Sequence, residues 1–229
     1  MSAGVRRDEA FSRLVYENPL ASGADVDGFI MEGSGATTFP MGRLRLENLR
    51  DPSDGQKANI VFWCPLDFPP DICIEWDFWP IREPGLCIVF FSAIGRNGND
   101  IFDDSLARRD GIYSQYHSGD IDAYHLSYFR RKAETERAFQ TCNLRKSRGF
   151  HLVAQGADPL PSVIDAMPPY ALRLSKLGPD VSFSINDLCV LRWSDDEQHG
   201  PVLGAGKIGF RQMAPLIAEY ANLRVYTTK

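Results

Sequence analysis

Short strand-like segments, separated by prolines and glycines, follow one another through almost the whole chain. "RLRLENL", "YALRLSK" and "VSFSI" alternate apolar and polar residues, which predicts half-buried strands with Leu44 and Leu46 facing inward in the first of them. "NIVFWC" and "LCIVFFSAI" are almost continuously apolar, a pattern typical of strands that are covered on both faces. Asn186 and Asp187 lie between two such runs and predict a tight hairpin turn. Roughly ten to thirteen strands of this kind predict an all-β protein built as a two-sheet sandwich.

Helical periodicity is scarce. It occurs at residues 8–17, where a short N-terminal helix within residues 1–17 is expected, and weakly at 132–139. With 229 residues, no repeat and no linker, the chain is expected to form a single domain over 1–229. The long loops expected at 95–123 and 132–166 are the places where function is most often found in a compact β domain.

Composition excludes several classes of protein. A net charge of −5 argues against nucleic-acid binding, which needs an excess of lysine and arginine. The N-terminus has no signal-peptide pattern, and no window approaches the about 20 apolar residues of a membrane span. The five cysteines are scattered and odd in number, so we expect a reduced, cytoplasmic protein with no cofactor and no metal site. The oligomeric state is left open.

The segment "YSQYHSGDIDAYHLSYFRR", residues 113–131, concentrates histidine, tyrosine and arginine. Strand alternation places Tyr124, Leu126, Tyr128 and Arg130 on one face of residues 124–131, and neither face is cleanly apolar. Histidine and tyrosine transfer protons, and arginine holds carboxylates. One alternative is a half-polar strand with an ordinary exposed face. Another is a metal site formed by His117, Asp120 and Asp122, although their spacing matches no tight metal site.

Three further clusters carry polar side chains that a site could use. In "TCNLRKS", Asn143 and Arg145 share one face, with Lys146 on the other, and "GFRQMAP" sets Arg211 opposite Gln212. In "IEWDFWP", Glu75 and Asp77 point the same way, as paired carboxylates do in glycosidic cleavage. The alternative for the first is a solvated strand end, and for the last it is that carboxylates on one face of a strand are common.

A family resemblance rests on three segments, "YHSGDIDAYHLSYFRR", "TCNLRKSRGFHLVAQGADPLP" and "GPVLGAGKIGFRQMAPLIAEYANLRVY". Together they resemble the YesU-like family of bacterial proteins, a domain of unknown function associated by name with use of the pectin component rhamnogalacturonan. The resemblance implies a concanavalin A-like lectin/glucanase fold, a two-sheet antiparallel jelly-roll sandwich whose concave sheet carries a ligand groove. Because this fold hosts unrelated activities, the resemblance leaves the function open.

Three activities of that fold bear on the chain. Its glucanases carry Glu-x-Asp-x-Glu or Glu-x-Asp-x-x-Glu on one strand, and here Trp79 and Pro80 occupy the positions of the last glutamate. Its lyases use tyrosine, histidine and arginine with an amide, and its lectins bind sugar without turnover.

The resemblance therefore implies a carbohydrate-active protein that acts on or binds plant-derived pectic oligosaccharides, as a lyase or hydrolase. The alternatives are a noncatalytic sugar-binding protein and a structural or partner-binding sandwich. The proton-transfer candidates are His117, His125 and Tyr128, and the substrate-binding candidates are Tyr116, Asp120, Arg130, Arg131, Asn143, Arg145, Lys146, Arg211, Gln212, Glu75 and Asp77.

Overall fold

The structure is a computed structural model that describes residues 10–132 and 140–229. In chain order its strands are β1 Arg13–Asn18, β2 Ile30–Glu32, β3 Gly35–Thr38, β4 Leu44–Asn48, β5 Ile60–Trp63, β6 Ile72–Arg82, β7 Cys87–Gly95, β8 Ile121–Tyr128, β9 Thr141–Ser147, β10 His151–Ala157, β11 Tyr170–Leu177, β12 Asp180–Ile185, β13 Leu188–Ser194, β14 Lys207–Gln212 and β15 Ile217–Thr227. Its helices are α1, Ser114–His117, and short 3-10 turns at Gly23–Val26, Pro40–Gly42, Pro52–Ala58, Arg96–Gly98 and Val163–Asp165. Within the described ranges, no helix is long and apolar enough to cross a membrane.

The strands form two antiparallel sheets. The eight-stranded sheet has the order β13-β12-β11-β6-β15-β4-β3, and β1 also pairs with β15. The seven-stranded sheet has the order β10-β9-β8-β7-β14-β5-β2. The expectation of an all-β, two-sheet antiparallel sandwich is confirmed.

The main hydrophobic core lies between the two sheets and follows the alternation in the sequence. Leu44 and Leu46 of β4 are fully buried, and Leu174 of β11 joins them in the same cluster. Asn186 and Asp187 form the predicted tight turn between β12 and β13, both at positive φ (47° and 66°). A left-handed pair of this kind matches the twist of a two-residue hairpin.

A second apolar layer covers part of the outer face of the seven-stranded sheet, the face turned away from the main core. Val61 and Trp63 of β5 and Phe90 of β7 point to this side, where Ile101 and Tyr116 from the segment before β8 cover them. This layer explains why "NIVFWC" and "LCIVFFSAI" are apolar on both faces.

The N-terminal helix prediction for residues 8–17 is wrong in its described part, because Arg13–Asn18 is strand β1. Its backbone pairs with β15, from Arg13 opposite Thr227 to Asn18 opposite Leu223. Pairing along a sheet has overridden a weak local helical preference. The weak helix at 132–139 falls on residues 133–139, outside the described residues, and the single-domain organisation stays a prediction.

Candidate functional site

Polar side chains collect on the outer face of the seven-stranded sheet, beside the second apolar layer. β8 and β9 pair so that His125 lies opposite Arg145 and Ser127 lies opposite Asn143. All four side chains point away from the main core, since the alternating Leu126 and Leu144 face into it. We call the residues on this face the outer-face cluster: Tyr113, His117, His125, Arg130, Asn143, Arg145, Ser147, Phe150 and Arg211.

His125 is at the base of the cluster and bonds on both ring nitrogens. Its Nδ1 lies 2.9 Å from the hydroxyl of Tyr113, and its Nε2 lies 2.8 Å from Oγ of Ser147. Its ring also stacks on Phe90, with centroids 5.4 Å apart. Burial, and then the positive charges of Arg145 and its neighbours, lower the pKa of His125 well below its usual value. The imidazole is therefore neutral at neutral pH.

Arg145, Phe150 and His117 form the more exposed part of the cluster. The Arg145 guanidinium lies 3.9 Å from the centroid of the Phe150 ring, and the His117 ring lies 4.3 Å from that centroid. The turn between β9 and β10 brings Phe150 here, with positive φ at Gly149 and at Phe150 itself (116° and 59°). The Gly149 N–H donates to the carbonyl of His117 at 2.7 Å and fastens this turn to α1. Burial, followed by the charge of Arg145, lowers the pKa of His117.

Arg130 and Asn143 lie at the other end of the cluster. Arg130 donates to the hydroxyl of Thr141 at 2.7 Å, and the Asn143 amide lies 3.2 Å from the same guanidinium and 2.9 Å from the amide of Gln155. The prediction that Arg130 shares a face with Tyr128 is wrong. Phe129 has a positive φ of 47°, which interrupts the alternation and turns Arg130 to the outer side.

Arg211 is a fully buried member of the cluster. It donates to the carbonyl of Gly111 at 2.7 Å and to the amide oxygen of Gln56 at 3.2 Å, while its Nε has no partner. Its guanidinium lies 4.8 Å from the ring of Tyr113. Burial lowers the pKa of Arg211 to about 10, so it keeps its charge at neutral pH.

The cluster is electropositive. Across the described ranges, neither Arg145 nor Arg211 forms an ion pair with a carboxylate. Buried or half-buried charges are normally paired, because desolvation penalises an isolated one. A face with several arginines and a neutral histidine is therefore suited to an anionic group from outside.

Four of the predicted site residues have structural contacts elsewhere, which corrects their assignment to a groove. Tyr128 is buried in the main core against Trp76, since strand alternation turns it inward. Arg131 forms a buried ion pair with Asp158 at 3.2 Å. The remaining two are also internal: Lys146 pairs with Asp195 at 2.7 Å, and Gln212 accepts from Tyr220 at 3.0 Å.

Glu75 and Asp77 lie on the opposite side of the molecule from the cluster. They belong to β6 of the eight-stranded sheet and point outward from it, because Trp76 between them points into the core. Glu75 accepts from Arg173 at 3.0 Å, and Asp77 accepts from Asn222 at 2.7 Å. A single groove cannot include them together with His125, so their placement with the histidines is wrong.

Tyr116 of α1 lies beneath the cluster against Arg211, so its assignment as a substrate-binding residue is wrong, and the Asp120 side chain bonds to a residue outside the cluster. Tyr116 is fully buried, packs on Trp63 and accepts from the Gly111 N–H at 3.0 Å. A carboxylate oxygen of Asp120 accepts from the N–H of Ala107 at 3.1 Å. In the parts of the chain that the structure describes, no three histidine, cysteine or acidic residues are grouped as metal ligands would be.

Four residues on this face were not among the predicted site residues: Tyr113, Ser147, Phe150 and Gln155. Tyr113 opens the histidine-rich segment, and its hydroxyl reaches His125 only because α1 folds back over β8. Phe150 and Gln155 follow from pairing β10 to β9, which sets Gln155 opposite Asn143. The hairpin signal around Gly149 was available in the sequence, but the register was not.

Comparison with known proteins shows the family of this chain. Residues 13–225 match the family model described as "Domain of unknown function (DUF1961)". The chain belongs to this family. "Uncharacterized protein YesU" of Bacillus subtilis (strain 168) is 55% identical over 213 residues, which cover 93% of this chain and 94% of that protein. The YesU-like resemblance is thereby confirmed.

Solved structures support the fold of this family. A Bacillus subtilis protein of unknown function with a galectin-like fold superposes with a TM-score of 0.91 at 54% identity, covering 95% of this chain and 97% of that one. The carbohydrate recognition domain of Emp47p superposes with a TM-score of 0.60 at 13% identity, covering 95% and 98%. The concanavalin A-like jelly-roll sandwich is confirmed, and the second likeness bears on the fold alone.

Proposed function

We propose that this protein binds acidic, uronate-containing oligosaccharides of pectic origin on the outer face of its seven-stranded sheet. The observation that supports this most directly is in the outer-face cluster, where Arg145 forms no ion pair with a carboxylate of the described residues and lies against the partly exposed ring of Phe150. The protein is carbohydrate-active at this face, and the group that binds the Arg145 guanidinium is a sugar carboxylate.

The chemistry of a uronate matches the cluster group by group. Arginine presents parallel N–H donors that fit both oxygens of a carboxylate. Phe150 is 40% exposed beside Arg145, and the accessible part of its ring offers an apolar contact for a sugar. The amides of Asn143 and Gln155 provide donors and acceptors for hydroxyl groups.

Two other features support the proposal. The fold is shared with a protein described as a carbohydrate recognition domain, although fold by itself does not assign function. None of the five cysteines is assigned to a disulfide bond, and four of them are buried, which favours a reduced compartment such as the cytoplasm, where imported oligosaccharides would be available.

Binding is tested by calorimetric titration with oligogalacturonates, rhamnogalacturonan oligosaccharides and neutral galactose oligomers of equal length. We expect the acidic oligomers to bind and the neutral ones to bind at least tenfold more weakly. Arg145→Gln should weaken acidic binding by about 10- to 100-fold, because a hydrogen bond to a charged group contributes about 1.5–3 kcal/mol. The matched control is Arg173→Gln on the eight-stranded sheet, which should bind as the wild type does.

Three outcomes would contradict the proposal. If acidic and neutral oligomers bind equally well and Arg145→Gln has no effect, the arginines do not select the ligand. If Arg173→Gln and not Arg145→Gln reduces affinity, the site is on the other sheet. A protein that binds none of the oligosaccharides would favour the structural or partner-binding alternative.

A further inference from the structure

We propose that the outer-face cluster is also catalytic, cleaving uronate-containing oligosaccharides by β-elimination with His117 as the base and Tyr113 as the acid. This inference rests on the proposed function, since it needs the uronate carboxylate at Arg145. It adds a reaction, and it assigns the acid to a residue that the sequence did not single out.

Tyr113 is central to the cluster. Its ring contacts Arg211 on one side and meets the rings of His117 and Phe150 edge-on, with centroids 4.9 Å and 5.5 Å away. Burial raises the pKa of Tyr113 to about 12, against an opposing effect of Arg211 and Arg145. The phenol therefore holds its proton at neutral pH, as a general acid must, and nearby cations stabilise the phenolate it becomes.

His125 positions the Tyr113 hydroxyl. In one tautomer the Nδ1–H of His125 donates to the phenol oxygen, and Nε2 accepts from the hydroxyl of Ser147. In that tautomer the phenol proton is not used in the hydrogen bond to His125. His125 itself is 1% exposed, so it acts through Tyr113 and does not touch the substrate.

His117 has the properties of the base. It is half-buried, its Nδ1 lies 2.7 Å from Oγ of Ser118, and its Nε2 makes no hydrogen bond to a described residue. Because its pKa is lowered, the ring is neutral and able to accept a proton at neutral pH. It also contacts Phe150, whose ring lies under Arg145, where the sugar carboxylate is expected.

The reaction balances without any further reagent. Nε2 of His117 removes the proton from the carbon next to the uronate carboxylate. Arg145 neutralises that carboxylate and makes the proton more acidic. The freed electron pair forms a carbon–carbon double bond as the glycosidic carbon–oxygen bond breaks at the neighbouring carbon. Tyr113 gives its proton to the leaving oxygen, and the proton held by His117 later returns to the phenolate, through solvent if not directly.

The test is to incubate the full-length protein with oligogalacturonates and rhamnogalacturonan oligosaccharides. The near-ultraviolet absorbance of the conjugated double bond and the release of reducing ends are followed separately. We expect both signals to grow in equal amounts.

Tyr113→Phe should lower kcat at least about 100-fold while the calorimetric dissociation constant changes less than threefold, because only a hydroxyl is removed. His117→Gln should behave in the same way. The controls are Tyr170→Phe and His199→Gln, which lie outside the cluster and should keep full turnover.

The outcomes separate this inference from the proposed function. Binding without new double bonds in the wild type would overturn the elimination and leave acidic-sugar binding intact. Reducing ends without double bonds would identify hydrolysis and overturn it equally. Full turnover in Tyr113→Phe would show that Tyr113 is not the acid, and full turnover in His117→Gln would show that His117 is not the base. Absence of binding altogether would defeat the proposed function first.

Discussion

The buried imidazole of His125 should make the stability of this protein depend on pH. Burial lowers the pKa of His125 in the folded state. As the pH falls below about 6.5, the unfolded chain therefore binds a proton that the folded chain does not bind. The contribution of the neutral His125 to the free energy of unfolding is fully present above that pH and is lost as the pH falls toward the folded pKa. Its share of the loss is up to about 1.4 kcal/mol per pH unit.

This pH dependence is checked by chemical denaturation of the wild type and of His125→Gln between pH 7 and pH 5. The variant keeps a polar group for Tyr113 and Ser147 but cannot titrate, so we expect a shallower loss of the free energy of unfolding. His199→Gln, whose ring stacks on His151 outside the cluster, should keep the His125 component. An unchanged slope in His125→Gln would contradict the account.

Strand alternation explains which site residues the sequence could reveal. It sets His125, Asn143 and Arg145 on one side of paired strands, and the structure brings them together. It failed at Arg130, because the positive φ of Phe129 interrupts the strand, and a phenylalanine in that conformation carries no sequence signal. Lys146 was wrongly predicted to bind substrate, because the sequence does not reveal that its side chain turns inward and pairs with Asp195.

The loop after β13 is held against β8 and β9 by hydrogen bonds among three polar residues, Lys146, Asp195 and Tyr124. Lys146 donates to Asp195 at 2.7 Å and to the carbonyl of Gly200 at 2.6 Å. The hydroxyl of Tyr124 also donates to Asp195 and accepts from the N–H of Leu203 at 3.0 Å. Burial alone would raise the pKa of Asp195, but the hydrogen bonds from Lys146 and Tyr124 outweigh it and lower the pKa. The stabilisation is therefore present at neutral pH and is lost as the pH falls through the folded pKa.

Lys146→Met should destabilise the fold by about 3 kcal/mol, since it removes one partner from a buried ion pair. Amide hydrogen exchange should rise in residues 195–206, while the hairpin turn at Asn186 and Asp187 stays protected. Denaturant unfolding together with exchange mass spectrometry measures both effects. A variant as stable as the wild type, or one whose exchange rises uniformly, would show that this group does not fasten the loop.

Among the elements, those defined by strong local signals were predictable. The hairpin at Asn186 and Asp187 and the doubly covered strands β5 and β7 were read from composition and spacing. Strand β1 was not, because its conformation depends on pairing with β15, about two hundred residues away along the chain.

The sandwich as a whole divides the candidate residues between two outer faces. The sequence indicated an all-β sandwich, and its segments resembled the right family, but the sheet to which each strand belongs is a non-local property. β6 lies in the middle of the eight-stranded sheet, so Glu75 and Asp77 face away from the histidines. Tyr113, His117 and His125 of the histidine-rich segment share the outer face of the other sheet with Asn143 and Arg145, and this shared face is the basis of the carbohydrate proposal.

The central claim is most directly tested by a crystal structure of the protein with an oligogalacturonate, collected from the slowly reacting Tyr113→Phe variant. The account predicts one uronate carboxylate within hydrogen-bond distance of the Arg145 guanidinium, with its sugar ring against Phe150. An oligosaccharide bound instead on the eight-stranded sheet beside Glu75 and Asp77, with Arg145 untouched, would contradict it.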